Sequence, residues 1–113
     1  MHELSIAQSI VDILLEQMKT HHLSRIESAT LRIGVLRAVD RESLGFSFDL
    51  LAAESPLRGA RLDIKEIPMQ GHCLECGQEF PMEHWLEDCP SCDGPRVEVV
   101  SGKELEIVGL EGA

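Results

Sequence analysis

The fold is decided by the segment 71–95, which reads GHCLECGQEFPMEHWLEDCPSCDGP and holds all four cysteines of the chain. It contains two C-x-x-C turns, Cys73 with Cys76 and Cys89 with Cys92, separated by twelve residues. Two intervening residues let both sulfurs of a pair face one ion, and four thiolates close a tetrahedron that leaves no position for a substrate. This spacing therefore predicts a structural metal site.

Zinc is the metal that this four-cysteine segment, called the module below, favours. Tetrahedral sulfur also suits the iron of a rubredoxin-like carrier, and the donor set alone does not separate the two metals. A redox iron site usually sits among aromatic residues, whereas Phe80 and Trp85 are the only ones in this segment. His72 and His84 flank the cysteines, but a closed set of four thiolates makes a histidine ligand unnecessary.

A helical and then a strand pattern precede the module. Apolar residues recur at helical spacing over 4–20, and Ser5 followed by Gln8 suggests a capping box and a helix that begins at about residues 3–5. Apolar and polar residues then alternate over 30–35, which is the period of a half-buried strand.

A second helix and a second strand follow before the cysteines. Asp40 is placed to cap a helical pattern that must end at Ser55, because the residue before Pro56 is pushed out of the helical region. Alternation at 61–65 predicts another strand, and two strand-like runs come after the cysteines, on either side of Ser101-Gly102.

The predicted class is therefore α+β: a small three-stranded sheet covered by two helices, with an inserted four-cysteine, zinc-ribbon-like module. We expect two parts, an α/β body of residues 1–70 plus 101–113 and a zinc-binding module of residues 71–100.

Composition excludes several classes of function. The chain has 113 residues, 43% of them apolar, and 10 Lys+Arg against 20 Asp+Glu give a formal net charge of −10. A nucleic-acid binder needs a concentrated basic face, which this chain lacks. No apolar stretch approaches a membrane span and no signal peptide opens the sequence, so we expect a cytoplasmic protein without a membrane partner. No open catalytic metal with a general base is visible, so an enzyme is not expected.

The first residues carry an unusual set of nitrogen donors. The Met1 amine, the amide between Met1 and His2 and the His2 imidazole can bind one ion in adjacent chelate rings, a planar set that suits Ni(II) or Cu(II). A histidine at position 2 is more often part of a frayed terminus. Asp40 is an anionic complement, but the residues alone favour its role as the cap of the second helix, and one carboxylate has lone pairs for both.

Together these features resemble the HypA/HybF family of hydrogenase nickel-incorporation proteins. The resemblance rests on the opening Met-His-Glu-Leu-Ser-Ile, on Ile-Gly-Val-Leu at 33–36 leading to Asp40, and on the two cysteine pairs. It runs nearly end to end, with no departure at these positions.

The resemblance implies a metallochaperone that delivers nickel to the large subunit of [NiFe]-hydrogenase with a HypB-like maturation GTPase. It implies nickel held by Met1 and His2, with Glu3 and Asp40 assisting, and zinc on the four cysteines. Glu3 could contribute through its side chain or its backbone. A monomer and a homodimer are both compatible with it. The alternatives are a rubredoxin-like iron electron carrier and a zinc-ribbon adaptor.

Overall fold

The computed structural model describes residues 2–84 and 87–113, and only the backbone of His2. It confirms the α+β class. In chain order the elements are α1 (His2–Thr20), β1 (Ile26–Gly34), α2 (Arg41–Ala53), β2 (Arg61–Ile67), β3 (Gln70–Cys73), β4 (Glu79–Pro81), β5 (Val97–Ser101) and β6 (Leu105–Gly112). A single 3-10 turn, Val35–Arg37, follows β1. Neither described helix combines the length and hydropathy of a membrane-spanning segment.

The chain forms two compact units, and the first consists of Met1–Arg32, Val39–Lys65 and Glu106–Ala113. Its sheet has the strand order β2-β1-β6, so the last strand returns to pair with the first. α1 and α2 pack together. Each helix buries one apolar stripe, and the buried apolar residues of these helices are Ala7, Ile10, Val11, Leu14, Met18, Leu44, Phe48 and Ala52.

The two ends of α2 follow from local chemistry. Asp40 is the N-cap in extended conformation, and its side chain accepts the backbone N–H of Glu42. The helix ends with Glu54 as C-cap, two residues before Pro56. Both predicted boundaries of this helix are confirmed.

The predicted start of α1 is wrong. The helix already begins at His2, so Ser5 lies inside it instead of at its mouth. The first turn carries Glu3, whose negative charge suits the positive end of a helix. Glu3 is also buried and accepts the backbone N–H of Asp40, a tertiary contact that holds this turn helical ahead of the local capping signal.

The second unit consists of Ile33–Ala38 and Glu66–Leu105 and contains the cysteine module. A second sheet has the order β4-β3-β5, with both pairings antiparallel. Its small core is built from Met69, Cys73, Phe80, Met82 and Cys89.

Two glycines meet at the edge of this second unit. Gly34 is extended, and its N–H donates to the Glu104 carbonyl at 2.7 Å. A Cβ atom on Gly34 would overlap the carbonyl group of Gly102. Gly102 has a φ of +111°, a conformation that side chains rarely adopt. Close backbone approach thus requires glycine at position 34.

Candidate metal centre

The four cysteines converge on one point. Their sulfur atoms all lie within 4.8 Å of one another, and the Cys73–Cys92 and Cys76–Cys89 sulfur pairs are each 3.6 Å apart. A disulfide would need about 2.05 Å. Sulfurs at ~2.3 Å from a central ion in a tetrahedron are about 3.8 Å from one another. The spacing therefore fits a four-cysteine metal site and excludes disulfides.

The two cysteine turns repeat one hydrogen-bond pattern. In the first, Cys73 donates its N–H to the carbonyl of Gln78, and the N–H of Gly77 returns to the Cys73 carbonyl, both at 2.9 Å. Cys89 does the same with Gly94 and Asp93, at 2.9 and 2.8 Å. In each turn the fifth residue has a positive φ, 79° at Gly77 in the first turn and 59° at Asp93 in the second.

The glycine that follows each pair has a different purpose in each turn. Gly77 supplies the positive φ, whereas the second turn places Asp93 at that position. Gly94 instead provides space, because a Cβ there would press against Glu75 and lie 3.2 Å from the Cys92 sulfur. Glycine thus serves backbone conformation in the first turn and close packing in the second.

The electrostatics of the cluster favour a bound cation. The backbone N–H of Cys76, 3.4 Å from the Cys73 sulfur, lowers the pKa of the Cys73 thiol to about 6. The N–H of Gly94 also lowers the pKa of the Cys92 thiol, but the Cys73 sulfur and partial desolvation of the thiol raise that pKa to about 12 overall. Four adjacent thiolates repel one another, so a metal ion is needed to keep all four ionised.

Burial within the cluster is uneven. Cys73 and Cys89 are completely buried, while Cys76 and Cys92 are exposed. Across residues 2–84 and 87–113 these cysteines are the one set of three or more cysteine, histidine or acidic side chains close enough to share an ion, and neither His72 nor His84 belongs to it. The Nδ1 atom of His72 lies 3.9 Å from a carboxylate oxygen of Glu79. Trp85 lies outside the described residues.

The second candidate site lies where α1 and α2 begin. Glu3 is only 9% exposed, and its Oε2 accepts the backbone N–H of Asp40 at 3.1 Å. The structure thus brings two of the four predicted nickel residues together. Met1 and the side chain of His2 lie outside the described part of the chain.

Both carboxylate oxygens of Asp40 accept hydrogen bonds from residues of α2. Oδ1 accepts the N–H of Glu42 at 3.1 Å, and Oδ2 accepts the hydroxyl of Ser43 at 2.9 Å. Each oxygen still has a further lone pair, and Asp40 is exposed. Capping and metal binding are therefore compatible at this side chain.

Two features of this site were not found from the sequence. Ser43 had a weak signal, since a serine three residues after an N-cap aspartate can reach its carboxylate. The bond between Glu3 and Asp40 had none, because it joins residues that lie 37 positions apart.

Comparison with known proteins agrees with this geometry. Residues 1–112 match the family model described as "Hydrogenase/urease nickel incorporation, metallochaperone, hypA". The chain belongs to the HypA family. Curated relatives of this family named "Hydrogenase maturation factor HypA" include those of Chloroflexus aurantiacus, 43% identical over 112 residues, and Geobacter metallireducens, 40% identical over 111 residues. In both cases the alignment covers 98% of each chain.

Solved HypA structures show the same fold. The Ni metallochaperone HypA from Helicobacter pylori is 26% identical, with a TM-score of 0.69 over 99% of this chain and 97% of its own. A second HypA solution structure is 27% identical, with a TM-score of 0.76 over 100% and 97%. Family membership makes this chain a hydrogenase-maturation metallochaperone with a four-cysteine metal site.

Proposed function

We propose that this chain binds Ni(II) at its amino terminus and delivers it to the large subunit of [NiFe]-hydrogenase, while zinc occupies the four cysteines. The contact between Glu3 and Asp40 carries the proposal. His2 is next to Glu3 in the chain, so this contact supports a site that combines amino-terminal nitrogen donors with the Asp40 carboxylate. Ni(II) favours nitrogen-rich sets of this kind.

In this proposal Glu3 acts by positioning Asp40. Its carboxylate accepts the N–H of Asp40, which leaves Asp40 as the side chain with the more accessible carboxylate. We therefore assign nickel ligation to Met1, His2 and Asp40, and to Glu3 a role in holding the first turn of α1 against the start of α2.

The two metal sites have different tasks. A site built from a chain terminus is open, so an acceptor can remove its ion by ligand exchange. Four thiolates form a closed site, and zinc there would stabilise the small module without taking part in transfer. Because metal binding needs deprotonated donors, nickel is released as the pH falls and the His2 imidazole and terminal amine become protonated.

The partners follow from family membership and chemistry. We propose a maturation GTPase of the HypB type and the hydrogenase large subunit as partners, in the cytoplasm. The closed cysteine site and the absence of a recognisable general base in the sequence support a carrier without catalytic activity. A homodimer stays an open prediction.

Metal analysis of the untagged protein with one equivalent of added nickel tests the metal assignment. We expect one tightly held zinc and one exchangeable nickel per chain. Stoichiometric iron with a red-brown colour would favour the rubredoxin-like alternative, and failure to bind nickel would refute the amino-terminal site.

Delivery needs a separate experiment. Nickel-loaded protein is incubated with the large-subunit precursor and the GTPase, the proteins are separated, and nickel is measured in the large subunit. We expect transfer from the parent and none from His2→Ala. Equal nickel in the large subunit with both donors would show that transfer does not pass through the proposed site.

A further inference from the structure

The outer face of α2 carries an apolar pair that the fold does not cover. Phe46 is 67% exposed and Leu50 is 57% exposed, whereas Phe48 between them is completely buried. In the described helices, these are the only exposed large apolar side chains that lie one turn apart. Their position opposite the buried stripe means that packing within the chain does not require them to be apolar.

Acidic residues bracket this pair. Glu42 lies one turn before Phe46, and Glu54 lies one turn after Leu50. Asp49 lies between them, and all three acids are exposed. At about 100° per residue, the basic Arg41 lies some 140° or more around the helix from the pair. The outer face of α2 is therefore apolar in the centre, with Glu42 and Asp49 along one side and Glu54 at the carboxyl end of the helix.

We propose that the outer face of α2 docks a basic amphipathic helix of a partner protein, one whose apolar stripe is flanked by lysine or arginine. The apolar pair supplies a hydrophobic contact, and the acids select the charge of the partner. The stretch of α2 from Glu42 to Glu54 spans about 18 Å, which matches little more than about three turns of a docked helix. This inference is independent of the metals proposed above.

Charge also excludes the other occupants. Two copies of this face would place Glu42 and Glu54 of one chain against the same acids of the second, and like charges across an interface are costly. An anionic membrane surface is repelled for the same reason. Phe46 and Leu50 expose only about 200 Å² of side chain, against roughly 800 Å² per partner in a stable interface. Docking is therefore transient and depends on the acidic residues.

Two synthetic amphipathic peptides test the proposal with the zinc-loaded, full-length protein. They share one leucine face and carry either lysine or glutamate on the other. Backbone resonances are followed by NMR during titration, and sedimentation velocity reports self-association. We expect the lysine peptide to shift the resonances of 42–54 saturably, more weakly at high salt, and the glutamate peptide to leave them unchanged.

Matched variants distinguish this face from general stickiness. Phe46→Ser with Leu50→Ser should weaken binding of the lysine peptide tenfold or more, while Val100→Ser, another exposed apolar position in the second unit, should not. Asp49→Lys with Glu54→Lys should transfer the preference to the glutamate peptide. Thermal unfolding checks that each variant is folded.

Three results would overturn the proposal. They are binding that survives loss of the apolar pair, shifts spread over surfaces other than α2, and a dimer that Phe46→Ser abolishes.

Discussion

The substitution Asp40→Asn separates capping of α2 from nickel binding at a single side chain. Asparagine keeps an oxygen for the N–H of Glu42, which Asp40 now accepts at 3.1 Å, and it is an equally good N-cap. It removes the negative charge at the helix start, worth about 0.3–1 kcal/mol. The hydroxyl of Ser43 loses its acceptor but is exposed and can turn to water. The free energy of unfolding should fall by less than about 1 kcal/mol, or roughly 4 °C in Tm.

Nickel binding should respond far more strongly. The proposed site loses its anionic oxygen donor, so we expect the affinity to fall tenfold or more, which corresponds to at least about 1.4 kcal/mol. Nickel titration against a competing chelator measures the affinity, and thermal unfolding without nickel measures the stability. Ser43→Ala is the matched control, because it removes the same Oδ2 hydrogen bond and keeps the charge.

The comparison between these variants decides the role of Asp40. If Asp40→Asn binds nickel as tightly as the parent, this residue is a cap only. If Ser43→Ala loses as much nickel affinity as Asp40→Asn, the effect comes from the geometry of the helix start, and ligation by the carboxylate is refuted.

Three further predictions concern the rest of the chain. Cys92→Ser should release the metal and make the second unit sensitive to protease, because three thiolates cannot close the tetrahedron; full zinc content would contradict the site. Gly34→Ala should lower the free energy of unfolding by about 3 kcal/mol, since its Cβ overlaps backbone, whereas Gly45→Ala in open space within α2 should raise it by about 0.5–1 kcal/mol. Urea unfolding compares the two, and equal changes would refute the close approach. A glycine added before Met1 should weaken nickel binding as sharply as His2→Ala, with zinc content unchanged; undiminished affinity in a nickel titration would exclude the free amine.

Local signals made much of this structure predictable. The cap at Asp40 and the proline at position 56 act within a few residues of the helix ends that they set, so both ends could be found from the sequence. The same holds for the C-x-x-C turns, where the spacing itself brings two sulfurs together.

Tertiary contacts were the part that could not be predicted. At Ser5 a local capping signal was overridden, because the buried Glu3 holds the first turn of α1 through its bond to the backbone N–H of Asp40. The bond from Asp40 to Glu3 and the approach of Gly34 to Gly102 each join distant parts of the chain. No periodicity or composition encodes such pairs, so the site was predicted as a set of residues but not as an arrangement.

The strand order β2-β1-β6 has a consequence for loop closure. About 70 residues separate β1 from β6, so pairing of these strands closes a long loop, with an entropy that grows only logarithmically with its length. Residues 66–105 of the second unit lie within this loop. When they are folded around a metal ion, they no longer count as free chain, so the flexible part of the loop is shorter. Halving the free length lowers the closure free energy by only about 0.6 kcal/mol. Metal loss from the cysteines should therefore slow the return of β6 to β1 only slightly, and the first sheet should still form in metal-free protein.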